Sequence, residues 1–137
     1  MTHLFDSIAD QLAGQGYASA DRFLTPSEVD AIIAPKNFKE TDHFKKAGIG
    51  QQHQLQINES IRGDYIQWID KTSASPALSL YLERLEHLMQ YLNETLFLSL
   101  KDMEVHKTVY PPGTFYKRHL DQFRKDDHRK LSVICYL

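Results

Sequence analysis

The chain has 137 residues, 42% of them hydrophobic and 25% charged, which is enough for the core of one domain and too few for two. Lys and Arg number 16 against 18 Asp and Glu, and the net charge of -2 lacks the basic excess that draws a protein to nucleic acid or to an anionic membrane. The longest apolar runs, such as Leu96-Phe97-Leu98, fall far short of the roughly 20 residues that span a bilayer, and the first residues lack a basic-then-apolar leader. The one cysteine, Cys135, cannot pair within the chain and reads as a small core hydrophobe. A soluble, cytoplasmic protein with no nucleic-acid or membrane partner is expected.

No repeat or low-complexity tract divides the chain, so a single domain over 1–137 is expected. Leu4, Phe5, Ile8 and Leu12 recur at helical spacing ahead of Gly14 and Gly16, predicting an amphipathic helix over 3–14 with a glycine stop. A short strand over 17–24 should follow. Thr25-Pro26-Ser27-Glu28 then reads as a capping box: Thr25 caps, Pro26 takes the first helical position and Glu28 reaches back to the free amide. Val29, Ile32 and Ile33 supply the buried stripe of that helix.

Residues 37–59 are polar and include Gly48 and Gly50, which predicts a surface loop or hairpin of the kind that often carries function. Residues 61–70 are expected as a strand, since Ile61, Tyr65, Ile66, Trp68 and Ile69 favour a half-buried pleated surface. Trp68 is expected in the core rather than the site. A long helix over 76–97 follows, with Ser75 as cap and Pro76 as first residue; Leu78, Leu82, Leu85, Met89, Leu92 and Leu96 step by four and three in turn. Glu83 and His87 on its polar side read as a solvated pair. Beyond it the period falls to two, as Met103, Val105, Lys107 and Val109 alternate with Glu104, His106, Thr108 and Tyr110. A turn at Pro111-Pro112-Gly113-Thr114, a second strand over 115–121, a charged loop and a third strand over 131–137 complete the chain.

His119-Leu120-Asp121 carries the most specific chemistry. Positions i and i+2 of a strand share a face, so an imidazole and a carboxylate can reach one ion. That pair suits Fe(II), and a second histidine would complete a two-His-one-carboxylate face with positions open to substrate and oxygen. Spacing alone is weak evidence and favours an exposed His and Asp at a strand end. His106 and His128 are spare imidazoles on another strand and in a charged loop, and neither is expected as a ligand.

The run Val109-Tyr110-Pro111-Pro112-Gly113-Thr114-Phe115-Tyr116-Lys117-Arg118-His119-Leu120-Asp121, with Leu131-Ser132-Val133-Ile134-Cys135-Tyr136-Leu137 after it, resembles the metal-binding segment of the Fe(II)- and 2-oxoglutarate-dependent prolyl 4-hydroxylases. Upstream, Ile61-Arg62-Gly63-Asp64-Tyr65-Ile66-Gln67-Trp68-Ile69-Asp70 is similar to the IRGD and W strand of the oxygen-sensing prolyl hydroxylases and their bacterial relatives. With the leading helices, the two matches cover essentially the whole chain as the N-terminal part of such a domain.

The resemblance implies an α+β fold, with helices packed on the first strands of a double-stranded β-helix, or jelly roll, that is incomplete in this chain. Residues 1–100 would be helical support and a lid hairpin, and 101–137 the first jelly-roll strands. His119 and Asp121 would be iron ligands. Tyr136 would donate its hydroxyl to the distal carboxylate of 2-oxoglutarate, with Tyr110 beside that cosubstrate. Arg62 and Asp64 would stand at the mouth on the substrate side, although they also read as a plain surface ion pair. Tyr116 would line the site too, while strict alternation aims it away from His119. The segment 48–59 would be the lid.

The activity implied is a dioxygenase hydroxylating a peptidyl proline, with Fe(II) and 2-oxoglutarate as cofactors and ascorbate as an auxiliary. Its partner would be a peptidyl-proline protein such as elongation factor Tu, on which bacterial relatives act. The family's second histidine and its 2-oxoglutarate-binding arginine lie beyond Leu137, so a truncated, inactive form is expected, its last strand an apolar edge open to dimerisation. Two alternatives stand beside this: a non-catalytic relative acting through protein contacts, and an oxygenase of the same scaffold with a non-prolyl substrate.

Overall fold

A computed structural model describes residues 1–34, 45–46, 64–118 and 129–137. Helix α1, Thr2–Gln15, buries Phe5, Ile8 and Ala9 along one stripe. It stops where expected, because Gly16 adopts φ 83° and returns its amide to the Leu12 carbonyl at 3.0 Å.

The strand expected over 17–24 does not form. Its backbone groups are taken by side chains instead of a ladder: Gln11 receives the Ser19 amide at 3.1 Å and donates to the Ser19 carbonyl at 3.2 Å, while Arg84 donates to the Phe23 carbonyl at 2.8 Å. Arg22 sits at φ 61°, which no continuous strand allows. Leu24 still reaches the core.

Helix α2, Pro26–Ile33, begins as the capping motif predicts, with Thr25 Oγ1 accepting the Glu28 amide at 3.2 Å. The Glu28 carboxylate also meets Arg84 in a two-pronged contact at 2.6 and 3.3 Å. Arg84 first, and then hydrogen bonds from Thr25, hold its carboxyl below the ordinary value of 4.5. Ile32 is buried and Val29 half-buried, but Ile33 is exposed, since so short a helix covers only one narrow face.

Helix α3, Pro76–Leu96, is the longest element. Ser75 Oγ accepts the Leu78 amide at 3.3 Å, and at the far end Phe97, at φ 55°, returns its amide to Asn93 at 3.1 Å. The Asn93 side chain then clamps Leu100 through its carbonyl at 2.8 Å and its amide at 2.7 Å. The buried stripe is Leu78, Leu82, Leu85, Leu88 and Leu92, with Leu88 in the place expected for Met89. Its C-terminal half packs with Phe5, Ile8 and Ala9, and its N-terminal end with Leu24 and Ile32; Phe23 touches both groups.

Strands β1, Lys45–Lys46, β2, Tyr65–Trp68, and β3, His106–Val109, form one antiparallel sheet in the order β1-β2-β3. Tyr65 pairs with Val109 and Trp68 with His106, and the Ile69 amide extends the ladder to Val105 at 2.9 Å. The strands expected over 115–121 and 131–137 are corrected: among the described residues only Tyr116 makes a single bridge, and 131–137 are in no strand. Both segments have strand-forming composition, but a strand exists only by pairing. The expected loop over 37–59 lies outside the described residues apart from β1.

Leu92 has no exposed surface. Leu92→Ala is therefore expected to cost about 2–5 kcal/mol in denaturant unfolding, read as a lower midpoint at unchanged slope. The Glu28 carboxyl is depressed, so its contribution is present above pH 4.5 and lost as pH falls below it. Glu28→Gln should flatten the acid limb of a stability-against-pH curve, and an unaltered limb would remove this role.

Candidate active site

The sheet positions the candidate residues by parity. His106 Nδ1 lies 2.8 Å from Thr108 Oγ1, so side chains at i and i+2 of β3 share a face. Across the register Trp68 meets His106 edge-on, with ring centroids 5.0 Å apart at 79°. Trp68 is 56% exposed, and the expectation that it belongs to the core is corrected. Trp68 belongs to neither cluster packed on α3, and its described ring contact is with His106 across the sheet.

The register ends with Tyr65 paired to Val109, and Asp64 and Tyr110 each lie one residue beyond that pair. Asp64 is only 1% exposed, so it is not half of a surface ion pair; it is buried and partnered. No buried side-chain nitrogen or oxygen among the described residues lacks a hydrogen bond, as the cost of burying a bare polar group requires. Tyr110 is 47% exposed, just past the end of β3.

From Tyr110 the chain turns tightly. The Thr114 amide and hydroxyl both donate to the Pro111 carbonyl, at 3.0 and 2.6 Å, and Gly113 takes φ 82°, where a side chain would be strained. The turn delivers half-buried Tyr116, with Lys117 and Arg118 exposed after it. The iron ligands expected at His119 and Asp121, the mouth residue Arg62, His128 and the lid over 48–59 lie outside the described residues. Among the described residues no three His, Cys, Asp or Glu side chains are grouped to hold a metal ion.

Tyr136 stands 89% exposed on segment 129–137. Its neighbour Cys135 is half-buried and, like Tyr81, packs on the cluster of Leu24, Ile32 and Leu78. Burial pushes the Tyr81 phenol far up, with a smaller push from Cys135, and burial likewise raises the Cys135 thiol. Tyr81 was not foreseen from the sequence; its position three after Leu78 and four before Leu85, flanking the apolar stripe, was the available signal. A shallow open depression of about 240 Å³ lies between the end of β2 and the start of α3, lined by Trp68, Asp70, Ser75, Leu78 and Lys107 among others. None of the described candidate residues lines it.

No helix among the described residues is long and apolar enough to cross a membrane. No family model matches the sequence. Among solved structures the chain is similar to a crystal structure of a Pseudomonas putida prolyl-4-hydroxylase, at 38% identity and a TM-score of 0.78. The match covers 87% of this chain and 62% of that one, so the chain spans less than two thirds of the relative's length. Mixed helices and a small antiparallel sheet, in an arrangement shared at that level of identity, make this a prolyl-4-hydroxylase-like chain corresponding to part of such a protein.

Proposed function

We propose that these residues belong to an Fe(II)- and 2-oxoglutarate-dependent dioxygenase that hydroxylates a peptidyl proline. The observation that carries the reading is the likeness to a prolyl-4-hydroxylase, at 38% identity, in a chain that carries His119-Leu120-Asp121 shortly after the Pro111–Thr114 turn. In this reading the sheet and the segments around Tyr116 and Tyr136 are the first part of a double-stranded β-helix.

The donor chemistry fits the metal: a neutral imidazole from His119 and a carboxylate from Asp121 suit Fe(II) and leave positions free for cosubstrate and oxygen. When bound, iron and 2-oxoglutarate supply the oxidation, in which decarboxylation to succinate is coupled to insertion of one oxygen atom of O2 into a prolyl C–H bond. The protein's work is holding and orienting. Tyr136 would donate its hydroxyl to the distal carboxylate of 2-oxoglutarate, and Tyr110 would line the same space. Buried Asp64, one residue before β2, would keep that edge in register, and Arg62 with 48–59 would meet the peptide. Ascorbate would serve to keep the iron reduced.

Anaerobic Fe(II) titration of the full chain, with and without 2-oxoglutarate, tests this by the weak visible charge-transfer band of a chelated cosubstrate. A band in the unsubstituted chain would overturn the inactive form expected from the sequence, and His119→Ala and Asp121→Ala are each expected to abolish it. Tyr136→Phe should keep iron binding and weaken 2-oxoglutarate by about tenfold, the worth of one hydrogen bond to a charged group. A band that survives loss of both His119 and Asp121 would sink the reading.

A further inference from the structure

The two faces of the β2–β3 ladder are put to different uses. Gln67, Ile69 and Lys107 share one parity: Ile69 packs on the cluster of Leu24, Ile32 and Leu78, and all three line the depression beside Ser75 and Leu78 at the start of α3. Ile69 lies one residue past β2, but its amide reaches the Val105 carbonyl at 2.9 Å, so the alternation runs on through it. This is the face turned to the helices. Ile66, Trp68, His106 and Thr108 have the other parity, with Trp68 opposite His106 and Ile66 opposite Thr108. Trp68 borders the depression as well, yet it joins neither apolar cluster.

Trp68 is held from its own face. His106 meets the indole edge-on, with ring centroids 5.0 Å apart at 79°. The imidazole is half-buried and fixed in turn, because its Nδ1 lies 2.8 Å from the Thr108 hydroxyl two residues further on. A ring hydrogen-bonded at one nitrogen cannot turn about its Cβ–Cγ bond without losing that directional contact, so the edge or face that it shows to Trp68 is set. Trp68 is 56% exposed, and a side chain with that much surface in water keeps one rotamer only if its contacts outweigh the entropy of ordering it. An edge-on ring pair favours the held rotamer by roughly twofold to tenfold.

We propose that His106 is a positioning residue: anchored by Thr108, it holds the Trp68 indole in place as one wall of the active site. This rests on the dioxygenase reading, in which the sheet is the first part of a double-stranded β-helix. In such a fold the helices cover one face of the sheet and the other looks inward, across the site, at the second sheet. The face of Trp68 and His106 is the one that the helices leave. Tyr110, which the same reading puts beside 2-oxoglutarate, follows Thr108 by two residues. His106 touches neither metal nor cosubstrate and acts through Trp68.

The chain has a single tryptophan, so its intrinsic fluorescence reports Trp68 alone. The test combines His106→Leu, Thr108→Val and His106→Phe in the full chain. His106→Leu keeps bulk but drops the ring contact and the hydrogen bond, Thr108→Val keeps shape and releases the imidazole from that bond, and His106→Phe keeps a ring against the indole. In time-resolved anisotropy the share of fast local motion is expected to rise about twofold or more in His106→Leu, to rise less in Thr108→Val and to stay near its original value in His106→Phe. Fe(II) with 2-oxoglutarate is expected to quench Trp68 emission in the unsubstituted chain, through the short-range transfer of excitation to a nearby metal centre. His119→Ala should abolish the quenching, His106→Leu should weaken it and His106→Phe should restore it. Unchanged anisotropy in both His106→Leu and Thr108→Val overturns the proposal and leaves the dioxygenase reading intact. A visible band of bound iron and 2-oxoglutarate with unquenched Trp68 overturns the placement of this wall at the site. An unsubstituted chain that takes up no Fe(II) removes the site from this chain, and the positioning role with it.

Discussion

The leucine stripe of α3, from Leu78 to fully buried Leu92, is the surface against which the other described parts are assembled. Helix α1 takes its C-terminal half and α2 its N-terminal end; the segment 129–137 crosses both clusters through Leu131 and Cys135. The sheet joins the same layer through Ile69, one residue past β2. Each buried leucine contributes about 1.5–3 kcal/mol, so loss of any one is a large share of a small domain's stability. One continuous seam thus serves two clusters.

Apolar contact fixes neither the angle nor the register of what packs on the seam, and polar ties do that. Arg84, in the middle of α3, grips Glu28 at the start of α2 and the Phe23 carbonyl in the linker before it. It lies where the two clusters meet, half-buried, so its directionality matters more than its net energy. Asn93 does the same work at the far end through Leu100, setting the path by which the chain leaves the helix for β3.

The helices were legible in the sequence because their signals are local. Gly16, Thr25 with Pro26, and Ser75 with Pro76 act within one turn, and each boundary fell within a residue or two of expectation. The strands were legible only where a partner exists. Residues 65–68 and 106–109 pair with each other, whereas 17–24 lose backbone groups to Gln11 and Arg84, side chains no local pattern couples to them. The same limit applies to the site. The family resemblance marks Asp64 and Tyr110 as candidates, but only packing reveals that Asp64 is buried and Trp68 exposed.

Alternation constrains what the remaining candidates can share. Tyr116 is half-buried while Lys117 is exposed, so an unbroken strand running on from the bridge would carry Tyr116, Arg118 and Leu120 on one side and Lys117, His119 and Asp121 on the other. His119 and Asp121 stay on a common face whichever way that strand is turned, which is why a two-residue spacing is a robust way to build two ligands. Tyr116 gains no such guarantee. For it to reach the same ion as His119, one extra residue must be accommodated between them as a bulge. The exposed Lys117 and Arg118 are the positions that could absorb it without disturbing the core, so the roles of Tyr116 and of the His-x-Asp pair are separable even though they lie three residues apart.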